Sequence, residues 1–279
     1  MSLRIAVAGS PHSTPSPSGT LKGLERAHEL GINAMELEWV QRVPLNTEHI
    51  EEVGRKAREL DIVLTVHAPY YVNLNAKEEE KLEKSKQRIL QALTMAQICG
   101  AKSVCVHSAF YLGMDPTDVY ENVRNATEDI LDKKDKYFPD VNLAYETMGK
   151  GTQFGTLEEL LELGKEFDMY PCVDFAHIHA RYKGMWNSKE EWNQLFDTYA
   201  KYLGEESLSN MHMHYSGIEY GEKGERKHLV FEESDANWKE FVGVLKDRNI
   251  GGVLICESPS LEEDTLVLKG EYDAPRSRA

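Results

Sequence analysis

Short apolar runs alternate along this chain with longer segments whose apolar residues return every three or four positions. The first run, RIAVAG, reads as a buried strand. A Ser/Pro-rich loop separates it from LKGLERAHELG, whose spacing predicts a helix. INAMELEW is strand two, a helix follows over 47–60 and stops near Asp61, and IVLTVHAP is strand three. The charged, periodic segment from Lys77 to Cys99 predicts a helix that ends at Gly100. KSVCVHS and VNLAYET are strands four and five, with the helical DPTDVYENVRNATEDILDKK between them. TLEELLELGKEF is a helix, YPCVDFAH strand six, 188–203 a helix and LSNMHMHY strand seven. DANWKEFVGVLKDR is helical, GGVLICESP is strand eight, and a short helix near 260–268 completes the series.

Local signals support these boundaries. Asp115 is placed to cap a helix with Pro116 in its first turn. Thr156 and Glu159 have the spacing of a capping box, and Asp235 is the expected cap of the helix after strand seven. Pro171 fits only the beginning of its strand. Eight strand-then-helix units of similar size, without an antiparallel interruption, predict a (β/α)8 TIM barrel of the α/β class. An open doubly wound sheet is the alternative. No linker divides the chain, so a single domain over 1–279 is expected, with the end of the chain, 270–279, as a flexible tail.

Composition narrows the function classes. There are 47 acidic and 32 basic residues, a formal net charge of −15, which argues against non-specific nucleic-acid binding over the whole surface. A local basic patch or a bound metal remains compatible with that total. Cys99, Cys105, Cys172 and Cys256 lack zinc-finger spacing and sit among apolar residues, so reduced core thiols are expected. The start of the chain has no signal-peptide pattern, and no apolar run approaches the roughly 20 residues of a membrane span. These features predict a cytoplasmic protein with no membrane association and no obligate protein partner.

The informative polar residues fall at strand ends. His67, His107, Glu146, Asp174 with His177, His212 and His214, and Glu257 close strands three to eight, and strand two adds Glu36 and Glu38. In a TIM barrel this end is the face that carries the active site. One such histidine or carboxylate is ordinarily a surface or hydrogen-bonded core residue. Six consecutive strands carrying one at the same end point to divalent cations, because charges and imidazoles converging in a barrel mouth are costly unless their lone pairs are used. Imidazoles mixed with carboxylates suit zinc or another borderline transition ion, and the number of donors suggests a cluster with a bridging carboxylate. In NMHMHYSG, the spacing turns His212 and His214 to one side of the strand and leaves them equal candidates. The glycine-rich GKGTQFGT reads either as a flexible loop or as a substrate contact.

VHAPYYVNL, VHS at His107, ETMGKGTQFG, VDFAH, MHMHYSG and ICESP occur in barrel order. Together they resemble the endonuclease IV family of apurinic/apyrimidinic endonucleases over nearly the whole chain. The resemblance implies two or three zinc ions, with manganese or another divalent transition metal as alternatives. Carried over by position, it implies that His67, His107 and Glu146 hold a first ion. Glu146 would bridge to a second, held also by Asp174, His212 and Glu257. For the third it implies His177 and His228. The family has an aspartate where this chain has Arg226, which cannot ligate; Glu225, one residue earlier, is the candidate substitute, and without it the third site is weaker, absent or completed by water or another carboxylate.

The activity implied by the resemblance is hydrolysis of damaged double-stranded DNA on the 5′ side of an abasic site, with Glu146 and Glu257 as catalytic residues. Tyr70, Tyr71, Lys150, Arg181, Tyr182 and Lys183 are the loop residues expected to contact DNA, with Arg226 as a further candidate. His214 is left to orient a ligand or touch substrate. A barrel sugar isomerase or epimerase with one or two metals is the enzyme alternative. A metal-stabilised, non-catalytic nucleic-acid-binding protein is the other.

Overall fold

In the computed structural model, which describes residues 2–275, the apolar runs become eight strands: β1 (Leu3–Ala8), β2 (Ala34–Glu38), β3 (Val63–His67), β4 (Ser103–Val106), β5 (Asn142–Tyr145), β6 (Cys172–Asp174), β7 (Met211–Tyr215) and β8 (Gly252–Cys256). They form one parallel sheet in the order β5-β4-β3-β2-β1-β8-β7-β6. A parallel bridge from Glu146 to Cys172 joins the two outer strands. The sheet is therefore a nearly closed barrel, and its seam is also crossed by hydrogen bonds between Thr147 and both Cys172 and Asp174, and between Asn142 and Tyr170.

Helices α1 (Thr20–Glu29), α2 (Thr47–Glu59), α3 (Glu79–Cys99), α4 (Pro116–Tyr137), α5 (Leu157–Phe167), α6 (Phe175–Arg181), α7 (Lys189–Leu203), α8 (Trp238–Asp247) and α9 (Glu262–Asp273) surround it. Several begin where the sequence demands. Asp115 accepts from the Thr117 N–H ahead of Pro116, and Thr156 and Glu159 satisfy each other's backbone donors as a capping box. Replacing Thr156 by Ala is expected to lower stability by ~1 kcal/mol, which urea unfolding would detect as a lower midpoint with an unchanged slope.

Side chains alternate about the barrel wall with period two. In β7, Met211, Met213 and Tyr215 pack outward into the helix layer with Phe241 and Phe196. Their neighbours His212 and His214 therefore point inward. The same parity sends Glu36, Glu38, Thr65, His67, Cys105, Glu146 and Asp174 into the barrel. Among the described residues, no helix is long and apolar enough to cross a membrane.

Four local expectations are corrected. Strand six ends at Asp174, and FAHIHAR turns at once into α6, with the Asp174 carboxylate accepting from the His177 N–H. His177 is thus presented by a helix rather than a strand. Asp235 does not cap α8, whose N-cap is Asn237; its carboxylate is taken instead by Tyr220 and His179. An unforeseen antiparallel hairpin, Gly217–Gly221 paired with Gly224–Leu229, rises from the barrel mouth after β7. Of the expected C-terminal tail, residues 270–273 complete α9, and 276–279 lie outside the described residues.

Candidate metal centre

From β2 to β8, the last inward position of the strand, or the residue just beyond it, carries a donor: Glu38, His67, His107, Glu146, Asp174, His214 and Glu257. Glu146 is the hub. Its Oε2 lies 2.8 Å from His107 Nε2 and 3.4 Å from His67 Nε2, and it accepts from the Cys105 thiol at 3.1 Å. Its Oε1 lies 3.1 Å from His177 Nδ1 and 3.3 Å from His214 Nδ1. The same His214 nitrogen is 3.3 Å from Glu257 Oε1, while Asp174 Oδ2 is 3.2 Å from His177 Nδ1.

Two donor groups follow from this geometry, and a third adjoins them. Glu146, Asp174, His214 and Glu257 present ligand atoms within 4.8 Å of one another, and so do His177, Glu225 and His228. His67 shares Glu146 with His107. Several of these buried atoms have no hydrogen-bonding partner: Glu146 Oε1, Asp174 Oδ2, His214 Nδ1 and Nε2, Glu36 Oε1 and Glu38 Oε1. Buried carboxylate and imidazole lone pairs left unmatched carry a free-energy cost that a divalent cation would offset. The donor set, mixed nitrogen and oxygen, fits such an ion.

The protonation balance shows the same strain. Burial alone would raise the Glu146 carboxyl, but the imidazoles of His107 and His214 hold it well below the usual range. Burial also opposes charge on His67, yet Glu146 beside it pulls that imidazole up to about 10. Burial pushes Glu38 up to about 8, partly opposed by His67. It drives Asp174 well above the usual range despite His177, with Glu257 and Glu146 adding to the rise. Protons thus occupy positions that a cation would take over on binding.

The hairpin brings the third group into place. Gly224 has φ +88° and lies so close to Gly149 that a Cβ there would stand 2.2 Å from the Gly149 carbonyl oxygen. Gly149 in turn faces Glu225 and His177, where a Cβ would meet the Glu225 Cβ at 2.7 Å. The GKG segment is therefore a packing surface for the hairpin, fixed by the Glu225 N–H donating to Gly149 O at 3.0 Å. The Ser216 hydroxyl lies 2.7 Å from His228 Nδ1. On the far side, the Tyr220 hydroxyl donates to Asp235 Oδ2 at 2.6 Å, and Asp235 Oδ1 is 3.1 Å from His179 Nε2 on α6. This clamp ties hairpin to helix. Tyr220→Phe is expected to weaken metal binding at His177, Glu225 and His228 by ~10-fold, an effect of the size seen when a ligand's supporting contact is lost. Metal titration of the variant checks it.

Residues 24–274 match the xylose isomerase-like TIM barrel family. The chain belongs to this family. An uncharacterised protein of Methanocaldococcus jannaschii is 38% identical over 273 residues, covering 97% of each chain. A probable endonuclease 4 of Aquifex aeolicus is 25% identical over 242 residues, covering 83% of this chain and 84% of that one. The solved structure of endonuclease IV from Thermus thermophilus superposes with a TM-score of 0.69 at 23% identity, covering 96% of this chain and 97% of that one. A D-tagatose 3-epimerase-like protein gives 0.68 at 19%, covering 96% and 94%. Those two structures share the fold with this chain, and the fold does not choose between them.

Within this xylose isomerase-like barrel, His67, His107, Glu146, Asp174, His177, Glu225, His228 and Glu257 converge at the mouth. His212 does not. Both its ring nitrogens are engaged lower down, Nε2 at 2.8 Å from Glu36 Oε2 and Nδ1 at 2.7 Å from Ser103 Oγ. His214 stands in its place against Glu146 and Glu257. The physical reason is depth: both histidines face inward, but His214 is one inward position nearer the mouth.

The loop residues divide similarly. Tyr70 lies over the imidazoles, with its ring centroid 5.1 Å from that of His67 and 5.0 Å from that of His107. Tyr71 and Tyr182 are exposed, and Lys150 Nζ is 4.0 Å from Glu225 Oε1. Arg181 donates to the carbonyls of Met148, Lys150 and Gln153 and so braces the glycine-rich loop. Lys183 pairs with Glu222 and Arg226 with Glu219, which turns Arg226 away from the donor groups. Glu36 and Glu38 belong to the site's surroundings, and their signal was the alternation in AMELE.

Proposed function

We propose that this protein hydrolyses DNA phosphodiesters at abasic sites, with zinc or a similar divalent ion held by the three neighbouring donor groups. The observation that carries the reading is the continuity of those groups. His67, His107 and Glu146 adjoin Glu146, Asp174, His214 and Glu257, and His177, Glu225 and His228 extend the row towards the hairpin. Bound divalent cations would supply the positive charge that neutralises the attacking and leaving oxygens of phosphoryl transfer.

The chain's own residues hold and orient. Glu146 spans two groups through its two oxygens, and Glu257 faces it across His214. Tyr70 covers one side of the mouth and limits water access to the imidazoles. Lys150 stands at the rim, within reach of a phosphate. An abasic nucleotide enters at low cost, since it has no base to unstack. The Aquifex relative, named a probable endonuclease 4, supports the same reading.

A second reading, isomerisation or epimerisation of a small sugar, is favoured by the charge pattern. Lys183 and Arg226 are paired with acidic residues, and the net charge is −15, which leaves few cations for a DNA backbone. One experiment separates the two. A duplex with a single abasic site is incubated with protein, chelator and restored metal, alongside a panel of keto- and aldo-sugars. Metal-restored cleavage on the 5′ side, falling steeply with salt, supports the first reading. Sugar turnover without cleavage under any divalent metal overturns it.

A further inference from the structure

One inward position below the mouth, the barrel is filled by residues that lie two places before the donors: Glu36, Thr65, Cys105, Ala144, Cys172, His212 and Ile255. Barrel interiors are ordinarily packed with branched apolar side chains. Here two thiols face each other across Ala144, all three residues fully buried. Cys105 Sγ, Cys172 Sγ and a ring nitrogen of His214 lie within 4.8 Å of one another. His214 Nε2 is 2.9 Å from Glu36 Oε1 but not aligned for a hydrogen bond, so both atoms lack a partner.

We propose that this lower chamber is a further cation site, sharing His214 with the mouth and selective for thiophilic ions such as Cd2+ or excess Zn2+, with Cys105, Cys172 and His214 as donors. Two sulfurs and one imidazole suit a soft or borderline ion and suit Mg2+ or Mn2+ poorly. A tetrahedral ion with sulfur at ~2.3 Å needs donor separations just under 4 Å, which modest side-chain rotation from the present spacing supplies. On binding, each thiol releases its proton to solvent, and the Cys105 hydrogen bond to Glu146 is replaced by the bond to the ion. An ion in the lower chamber competes with the mouth for His214.

On the opposite face of the barrel a cavity of about 670 Å³ opens among the N-terminal ends of the strands, and Thr65, Ser103 and His212 line it. The site does not depend on which substrate the mouth takes.

The test is titration of the full-length, metal-stripped protein with Cd2+, followed by the sulfur-to-cadmium absorption band in the near ultraviolet. The band is expected to grow, to vanish in the C105A/C172A double variant, and to survive in C99A and C256A, whose thiols lie elsewhere. A missing band at saturating Cd2+, or one that persists in the double variant, overturns the proposal. 113Cd NMR of the unaltered protein gives an answer even where the double variant does not fold. A resonance in the thiolate range supports the site, and resonances confined to the nitrogen–oxygen range refute it.

Discussion

Glu146→Gln is expected to strip bound metal from the mouth and to lower turnover by on the order of 10³-fold or more. The carboxylate is contacted on Oε2 by His67, His107 and the Cys105 thiol, and on Oε1 by His177 and His214. The amide removes the charge and replaces one acceptor with a donor that faces imidazoles. No neighbouring side chain can take over, because Glu38, Asp174 and Glu257 are each set on a different strand end. The variant also leaves several buried imidazoles without their counter-charge, which costs ~3 kcal/mol or more before metal is added. Metal analysis, single-turnover kinetics and thermal unfolding together check the result. A variant that keeps its full metal content and rate would refute the bridging role of Glu146.

The second large effect separates the paired histidines. His214→Ala is expected to reduce metal affinity at the mouth by at least ~100-fold, because its Nδ1 faces Glu146 and Glu257 at 3.3 Å each. His212→Ala should keep the metal stoichiometry of the mouth and instead lower stability by about 3 kcal/mol. It removes the partner of Ser103 and one of the two donors to Glu36 Oε2, leaving that buried oxygen with Thr65 as its hydrogen-bond donor. Calorimetric metal titration and urea unfolding of both variants give the two readouts. The opposite pattern, metal loss in His212→Ala and not in His214→Ala, would place the ligand one position deeper than the structure does.

The hairpin illustrates why parts of the site were hard to foresee. GIEYGEKGERKHL carries its own signal: two alternating stretches around a short turn bounded by Gly221 and Gly224. What no local pattern reveals is that Gly224 meets Gly149, far earlier in the chain, closely enough to exclude any side chain. That contact sets Glu225 toward His177 and turns Arg226 outward to Glu219. The Arg226 position looked like a gap in the third donor group. The neighbouring glutamate fills it once the backbone path is known.

The sequence by itself determined the order of the eight barrel strands and of the longer helices between them, the barrel class, the caps at Asp115 and Thr156, and the strand ends where donors gather. Each of these depends on interactions within a few residues or on a two- or 3.6-residue period, so each is written locally. It also determined that His212 and His214 share a side of β7. Only the tertiary structure decided which of them reaches the mouth. That depends on how β7 is registered against β6 and β8, with His214 level with Asp174 and Ile255, and His212 level with Cys172 and Val253. Register between strands distant in sequence fixes depth in the barrel, and period two cannot report it.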